Sequence, residues 1–88
     1  MTVKKVVVKN SLHTAIDIKI AKTYAETGEK VTVAELSETF GEYAGASPTA
    51  LILIKANNYV PSLYIAFKLA KFLDEKLENL FELCEEDD

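Results

Sequence analysis

The sequence predicts a mainly α-helical fold, with four to five helices in one small domain and a β-strand before them. Three observations support this prediction. Residues 62–84 place apolar side chains at alternating three- and four-residue steps, the spacing that puts them on one side of a helix. Thr32 is followed three residues later by Glu35, which is the capping-box pattern of a helix start. The opening residues, MTVKKVVVK, are rich in the β-branched valine, which favours a strand.

Length and composition are those of a single folded domain. The 88 residues are 49% hydrophobic and 27% charged, which is too apolar for a disordered chain. A domain of this size buries only roughly 60–65% of its unfolded surface. A second subunit would add stability, and we expect a homodimer. The chain contains neither an apolar run of the ~20 residues that span a membrane nor a signal-peptide pattern at its start, so we expect a cytoplasmic protein.

The strand predicted at residues 1–9 needs a pairing partner, because one strand cannot satisfy its own backbone hydrogen bonds. No second strand is evident in the sequence. We therefore predict that this strand pairs with its copy across a dimer, and that Val3, Val6 and Val8 lie in the interface. The alternative partner is residues 15–22, AIDIKIAK, where isoleucines alternate with charged residues.

For the segment after residue 10 we favour a helix over a strand. Asn10 or Ser11 can cap a helix at this point, and Gly28 can take the positive φ that ends one. Between them, large apolar residues recur every four residues, as one face of a helix requires: Leu12, Ile16, Ile20 and Tyr24.

A second helix is predicted from Thr32 to Phe40. Leu36 and Phe40 are four residues apart and give it an apolar side. The segment that follows, residues 41–46 (GEYAGA), is predicted to be a turn.

A third helix is predicted over the segment TALILIKA, residues 49–56. Ser47 and Pro48 mark its start, because serine caps helices and proline fits the first helical position. Leu51 and Ile54 are expected to face the core.

A last helix is predicted to begin at Ser62. Residues 57–61, NNYVP, end the third helix, because asparagine tolerates a left-handed backbone and proline cannot continue a helix. The apolar stripe of the last helix comprises Leu63, Ala66, Ala70, Leu73, Leu77, Leu80 and Cys84, widened by Phe67 and Phe81. Residues 74–76 contain no helix breaker, so the helix can continue to about Leu83 and could pack against a partner chain. Residues 85–88 are expected to be a frayed acidic tail.

Several of these segments resemble a known family. The run YVPSLYIAFKLAKFL, followed by LENLFEL, is similar to the C-terminal half of the lambda-repressor and Cro type of DNA-binding domain. VTVAELSETFG resembles the first helix of that family's helix-turn-helix, and SPTALILIKANN occupies the place of its recognition helix. The resemblance covers residues 31–83. It implies a lambda-repressor-like helical bundle and a homodimeric transcriptional regulator that binds double-stranded DNA.

The resemblance also indicates which residues would meet DNA: Thr32, Ser47, Thr49, Ile52, Lys55 and Asn58. Free backbone N–H groups at a helix start can bind phosphate, and Ile52 can contact a thymine methyl group. Taken singly, each of these residues could equally cap or cover a helix. The chain departs from the family at Val33, where a glutamine commonly meets the DNA backbone, and at Glu42–Gly45, about four extra residues in the turn.

The charge distribution is unusual for a nucleic-acid binder. Residues 1–31 carry six lysines and three acids, whereas residues 32–88 carry four lysines and eleven acids. The formal net charge is −4, and the chain contains no arginine to grip phosphates or guanine edges.

An alternative function follows from the apolar residues of the third helix. Ile52 and Leu53, beside Tyr43 or Tyr59, would form an exposed apolar patch of the kind found at interfaces. The chain would then be a helix-turn-helix-like protein-interaction module, an antirepressor or adaptor, with Leu53 in the interface.

No catalytic, metal or cofactor site is predicted. His13 has no metal-ligand partner at a suitable spacing, Cys84 is the single cysteine, and the sequence has no glycine-rich phosphate loop. We therefore expect neither an enzyme nor a bound cofactor. The chain divides into an N-terminal strand (1–10), a helical domain (11–84) and an acidic tail (85–88).

Overall fold

The computed structural model describes the backbone of residues 4–87 and the side chains of residues 8–84. Within these residues the chain forms two strands and five helices: β1 (Lys4–Asn10), α1 (Leu12–Thr27), α2 (Val33–Ala44), α3 (Ala50–Lys55), α4 (Leu63–Leu73), α5 (Leu77–Leu80) and β2 (Phe81–Asp87). The predicted mainly helical fold with an N-terminal strand is confirmed. No helix of the described residues is long and apolar enough to cross a membrane. Val3 and the side chain of Val6 lie outside the described residues.

β1 pairs antiparallel with β2, so its partner is the C-terminal segment of the same chain. The register runs from Asn10 opposite Phe81 to Lys4 opposite Asp87. The prediction that β1 takes its pairing partner from a second subunit is therefore wrong. Residues 85–87, expected to fray as an acidic tail, belong to β2, and Asp88 lies outside the described residues.

The register explains how so acidic a segment becomes a strand. It places each lysine of β1 opposite an acidic residue of β2: Lys4 with Asp87, Lys5 with Glu86 and Lys9 with Glu82. Lys9 and Glu82 are the pair whose side chains the structure describes, and opposite charges directly across an antiparallel pair contribute about 0.2–1 kcal/mol. The uneven charge distribution of the sequence thus favours the pairing of its two ends.

α1 confirms the helix predicted after residue 10 and excludes a hairpin between β1 and residues 15–22. Leu12 and Ile16 are fully buried, but Tyr24, at the far end of the same stripe, is 57% exposed. Only the first half of the stripe therefore packs tightly against the body. Gly28, with φ of 75°, ends the helix and donates its N–H to the Tyr24 carbonyl.

The core lies where α1, α2, α3 and α4 meet. Its largest fully buried apolar side chains come from these helices and from α5: Leu12, Ile16, Phe40, Leu51, Ile54, Leu69 and Leu80. The Phe40 ring centroid lies 5.3 Å from that of Phe72 in a tilted arrangement, which aromatic pairs favour. Leu36 and Phe40 are both buried, which confirms the apolar side predicted for the second helix.

The last long helix, α4, ends at Leu73, so the predicted continuous helix to Leu83 is wrong. Asp74 takes a left-handed conformation with φ of 52°, and the Glu75 N–H donates to the Ala70 carbonyl at 2.9 Å. These features form a Schellman-type helix end. Aspartate adopts a left-handed backbone more readily than most residues, which is why no glycine is needed here.

The Glu75 carboxylate organises the turn into α5. It accepts hydrogen bonds from the Asn79 side chain at 2.9 Å and from the Lys76 N–H at 3.0 Å. These two hydrogen bonds lower the pKa of Glu75 below its usual value, and the bond from Asn79 has the larger effect. The carboxylate therefore stays ionised, and stays an acceptor, over a wider pH range.

The apolar stripe predicted from Leu63 onward is divided between α4, α5 and β2. The predicted stripe residues that are buried are Ala66, Leu73 and Leu80. Leu63 and Phe67, by contrast, are 67% and 52% exposed, and the unpredicted Leu69 is fully buried. The reason is that α4 packs along residues 66, 69 and 73, roughly 90–130° around the helix from Leu63 and Phe67. Cys84 lies half-buried on β2.

Asn10 links β1 to two helices. Its side-chain oxygen accepts the Leu12 N–H at 3.1 Å and so serves the start of α1. Its amide nitrogen donates to the Ile54 carbonyl at the end of α3 and to the Asn57 side chain at 2.8 Å. Nearby, the Ser11 N–H donates to the Leu80 carbonyl at 2.9 Å. The junction between β1 and α1 therefore holds the C-terminal end of α3 in place.

Replacing Asn10 with alanine removes all three hydrogen bonds of this side chain. We expect the free energy of unfolding to fall by about 1–3 kcal/mol, since each net hydrogen bond contributes about 0.5–1.5 kcal/mol. Urea unfolding followed by circular dichroism measures the loss. Asn58→Ala, at an exposed asparagine, is the matched control, and an equal loss in both variants would contradict the role given to Asn10.

Asp74 provides a second test of the fold. Asp74→Gly should raise the free energy of unfolding by about 0.5–1 kcal/mol, because glycine adopts a positive φ without steric cost. Asp74→Val should lower it by about 1–2 kcal/mol, because a β-branched side chain clashes in this conformation. Thermal or urea unfolding of the two variants and the native protein measures these differences in stability. If both variants were equally stable, Asp74 would not be held in the left-handed region.

Candidate nucleic-acid interface

α2 is about one turn longer than the sequence predicted. Its capping box is confirmed, because the Glu35 N–H donates to the Thr32 hydroxyl at 3.1 Å and the Thr32 N–H to the Glu35 carboxylate at 3.3 Å. The helix continues through Ala44 and ends at Gly45, whose φ is 69°. The turn predicted at residues 41–46 is thus wrong for its first four residues. The extra residues add about one turn of 3.6 residues to the helix rather than lengthening the loop.

α2 and the segment that follows it approach each other closely. The Ser37 hydroxyl is buried and donates to the Pro48 carbonyl at 2.6 Å. A Cβ atom at Gly41 would lie only 2.7 Å from the Ser47 carbonyl oxygen, which is too close for a real contact. Gly41 is therefore needed for close packing within a helix, not for a turn. Together these contacts fix the direction in which the chain enters α3.

α3 packs by one face and presents the other. Leu51 and Ile54 are fully buried, which confirms the core positions predicted for them. On the outer side, Thr49 and Ile52 are exposed. The segment predicted to act as a recognition helix is therefore an anchored, outward-facing helix rather than a buried one.

Ser47 does not cap α3 through its side chain, contrary to the prediction. Its hydroxyl lies 3.4 Å from the Thr49 hydroxyl, whereas its backbone carbonyl accepts the Ala50 N–H at 3.2 Å. A tight turn through Pro48 therefore precedes the helix. The hydroxyl groups of Ser47 and Thr49 are exposed next to each other at the entrance to α3.

The end of α3 confirms that the paired asparagines close the helix. Asn57 has a positive φ of 62° and donates its N–H to the Ile54 carbonyl at 3.0 Å. The Asn58 N–H donates to the Leu53 carbonyl, also at 3.0 Å. The side chain of Asn58 is exposed just beyond the helix.

The structure places the candidate DNA contacts in two groups. On the turn, the outer side of α3 and the following loop lie Ser47, Thr49, Ile52, Lys55 and Asn58. All of them are exposed except Lys55, which is half-buried. Thr32 is exposed at the start of α2, but its hydroxyl is already engaged with Glu35, to which it also donates at 3.1 Å. Contact of either group with DNA stays a prediction.

The surface around α3 is poor in cations. Lys55 is the only basic residue between positions 31 and 67, and the outer side of α2 carries Glu35, Glu38 and Glu42. The ammonium group of Lys68 on α4 lies over the Tyr43 ring, 4.7 Å from its centroid. Hydroxyl, amide and apolar groups therefore dominate the outer side of α3.

An apolar cavity of about 410 Å³ borders the outer side of α3. It lies between the turn, α3 and the start of α4, and its walls include Ala46, Leu53, Tyr59 and Ile65. Leu53 is 41% exposed and Tyr59 45% exposed, in line with the apolar patch expected from the sequence. Ile65 was not anticipated, because its place in the cavity depends on how α4 packs against α3.

Two known proteins resemble this chain. It is 41% identical over 44 residues to an uncharacterised HTH-type transcriptional regulator of Methanocaldococcus jannaschii. The aligned residues make up 50% of this chain and 67% of that protein. It is 39% identical over 49 residues to the uncharacterised HTH-type transcriptional regulator YgzD of Bacillus subtilis. Here the aligned residues make up 56% of this chain and 74% of that protein. The chain belongs to the HTH-type transcriptional regulators. No protein-family model and no solved structure matches it.

α2, residues 45–49 and α3 have the order of a helix-turn-helix, which is a helix, a short turn and a second helix. We use that name for these three elements below. Neither relative's name denotes an enzyme, in agreement with the expectation that this protein is not one.

Gly41 tests how the helix-turn-helix is held together. In an ordinary helix interior, Gly→Ala stabilises by roughly 0.5–1 kcal/mol. At Gly41 we expect the opposite sign, a loss of about 1–3 kcal/mol, because the added methyl group must displace the Ser47 backbone.

Urea unfolding of Gly41→Ala measures this sign directly. The neighbouring exposed Glu42→Ala is the matched control and should change the free energy of unfolding by no more than about 0.5 kcal/mol. A Gly41→Ala variant more stable than the native protein would contradict the close packing of α2 against the turn.

Proposed function

We propose that this protein is a DNA-binding transcriptional regulator of the Cro and lambda-repressor type, which acts as a homodimer on double-stranded DNA in the cytoplasm. The observation that carries the proposal is the two-sided character of α3. Leu51 and Ile54 anchor its inner face in the core, while Thr49 and Ile52 stand in solvent on its outer face. A second helix that is rigidly held and exposed on one side is what insertion into a major groove requires.

Each exposed group has a plausible partner in a DNA duplex. The hydroxyl groups of Ser47 and Thr49 can donate to phosphate oxygens, and such contacts set the register of a protein on DNA. Ile52 can pack on a thymine methyl group. The amide of Asn58 can bond a phosphate or a base edge, and Lys55 can extend from its half-buried position toward a phosphate.

The scarcity of cations around α3 has a measurable consequence. The salt dependence of DNA binding counts the phosphates that a protein neutralises, with a slope of about −0.9 for each. With Lys55 as the only lysine of the helix-turn-helix, we expect a shallow slope for each subunit. Affinity would then depend more on hydroxyl and apolar contacts than is usual for this class of protein.

A protein-interaction module remains a second candidate, and one observation favours it. Ile52, Leu53 and Tyr59 are large apolar residues that are 38%, 41% and 45% exposed around α3. If a protein partner covers them, replacing Ile52 and Leu53 with glutamate should abolish that association and leave the fold intact. Binding of the native protein to a DNA duplex is the property that separates the two candidates.

The test uses a mixed-sequence duplex of about 30 base pairs, with binding measured by fluorescence anisotropy as the salt concentration is varied. We expect binding in dilute salt that weakens as salt rises. Thr49→Glu should weaken it at least tenfold, because the added carboxylate would face the phosphates. Thr14→Glu, an equal charge change at an exposed threonine of α1, is the matched control and should retain nearly native affinity.

Two results would contradict the proposal. The first is no detectable duplex binding by the native protein even in dilute salt, which would leave the protein-interaction module as the better candidate. The second is an equal loss of affinity in Thr49→Glu and Thr14→Glu, which would mean that binding responds only to net charge and does not involve α3.

A further inference from the structure

The segment that leaves α3 is not held by core packing. Ile54 is fully buried, but none of residues 55–65 is buried. We call the first four of them, residues 55–58, the α3 exit. It carries Lys55 and Asn58, two of the candidate DNA contacts. Segments with few buried apolar contacts open most easily, so the position of the α3 exit depends on hydrogen bonds.

Two of these hydrogen bonds are local. The Asn57 N–H donates to the Ile54 carbonyl at 3.0 Å. The Asn58 N–H donates to the Leu53 carbonyl, also at 3.0 Å. Both bonds join residues that are close in sequence. They define the shape of the helix end, but they do not connect it to another element of the fold.

The side chain of Asn10 provides that connection. Its Nδ2 atom donates to the Ile54 carbonyl and, at 2.8 Å, to the Asn57 side-chain oxygen. The two bonds span 44 and 47 residues of sequence, and we call them the Asn10 link. The Oδ1 atom of the same side chain accepts the Leu12 N–H at 3.1 Å. One side chain therefore joins the end of β1, the start of α1 and the α3 exit.

The chemistry of the Asn10 link requires an amide. The start of α1 needs only an acceptor, which aspartate, serine or threonine could also supply. The two oxygen atoms at the α3 exit need two hydrogens from one side chain. An ionised aspartate has none to donate and a hydroxyl group has one, whereas an asparagine amide has two together with an acceptor oxygen. Capping of α1 alone thus does not require asparagine at position 10, but the Asn10 link does.

Asn57 is suited to receive the Asn10 link. Its φ of 62° is a left-handed conformation, which glycine and asparagine adopt at the least cost. Glycine would end the helix equally well, but it would offer no side-chain oxygen to Asn10. Asn58 follows directly, so the position of Asn57 determines where the exposed Asn58 side chain lies.

We propose that Asn10 and Asn57 are positioning residues for DNA recognition. Their contacts fix the α3 exit so that Lys55 and Asn58 face the duplex, and they act without touching DNA themselves. The strand pair, through Asn10, thereby contributes to recognition from a distance. This assignment goes beyond the contacts named in the proposed function, and it rests on that function.

The first measurement is amide hydrogen exchange of the free protein, followed by NMR. In Asn10→Ala, the Asn57 and Asn58 N–H groups should exchange at least fivefold faster, because the α3 exit opens more readily without the Asn10 link. The internal control is the Glu75 N–H, which donates to the Ala70 carbonyl at the end of α4. Its exchange rate should change much less.

The second measurement is the affinity for a DNA duplex, by fluorescence anisotropy, at a temperature where circular dichroism shows that every variant is folded. Asn10→Ala and Asn57→Gly should each bind about three- to tenfold more weakly, as expected for lost hydrogen bonds. Asn57→Gly keeps the left-handed backbone, so its affinity should fall without a loss in the free energy of unfolding. A purely structural role would not separate these two quantities.

A double variant and a control complete the design. Asn10→Ala combined with Asn57→Gly should bind about as weakly as Asn10→Ala alone, because both changes break the same link. The matched control is Asn79→Ala, which removes an asparagine hydrogen bond of 2.9 Å to Glu75, away from α3. It should retain nearly native affinity.

Each outcome decides the proposal. Unchanged exchange at Asn57 and Asn58 in Asn10→Ala overturns it without reference to DNA. Native affinity in both single variants also overturns it and leaves the regulator intact. A double variant whose loss is the product of the two single losses overturns it too, because Asn57 would then contact DNA by itself. If exchange responds as expected but the native protein binds no duplex, the proposed function fails, and the role in recognition fails with it.

Discussion

The fold depends on the anchoring of α3, which cannot be stable alone. A helix of six residues, Ala50–Lys55, is far below the length at which isolated helices persist in water. It is held by the burial of Leu51 and Ile54 against α2 and in the shared core, and each such side chain contributes about 1.5–3 kcal/mol on burial. Because the inner face is fixed in this way, the outer face with Thr49 and Ile52 is fixed as well. A surface suited to recognition is therefore a consequence of core packing.

The two ends of the described chain support this anchoring from behind. β1 and β2 pair with Lys9 opposite Glu82, and the Asn10 amide at the end of β1 donates to the Ile54 carbonyl and the Asn57 side chain. The Ser11 N–H is bonded to the Leu80 carbonyl, so the same junction also holds α5. The strand pair is thus hydrogen-bonded to the end of α3 and to α5, and it packs as part of the helical domain.

Local signals in the sequence predicted the local structure well, while long-range features escaped them. The Thr32 capping box and the core positions of α3 rest on spacings of three or four residues, which a single sequence displays directly. β2 was missed because acidic residues are uncommon in strands and because its pairing partner, β1, lies far away in the sequence. The end of α4 was missed because the residue that ends it in a left-handed conformation, with φ of 52°, is Asp74 rather than the usual glycine. Leu63 is exposed and Leu69 is buried because of the direction from which the other helices approach α4. The sequence does not display that direction.

The central claim is that α3 offers its outer side to a DNA duplex while its inner side stays in the core. The most direct measurement is the two-dimensional ¹H–¹⁵N NMR spectrum of the labelled protein during titration with duplex DNA. We predict that the largest shifts occur at residues 47–58, in the turn and around α3, with small changes over most of α1. Shifts confined to α1 or to the strand pair, with the signals of residues 47–58 unmoved, would contradict it.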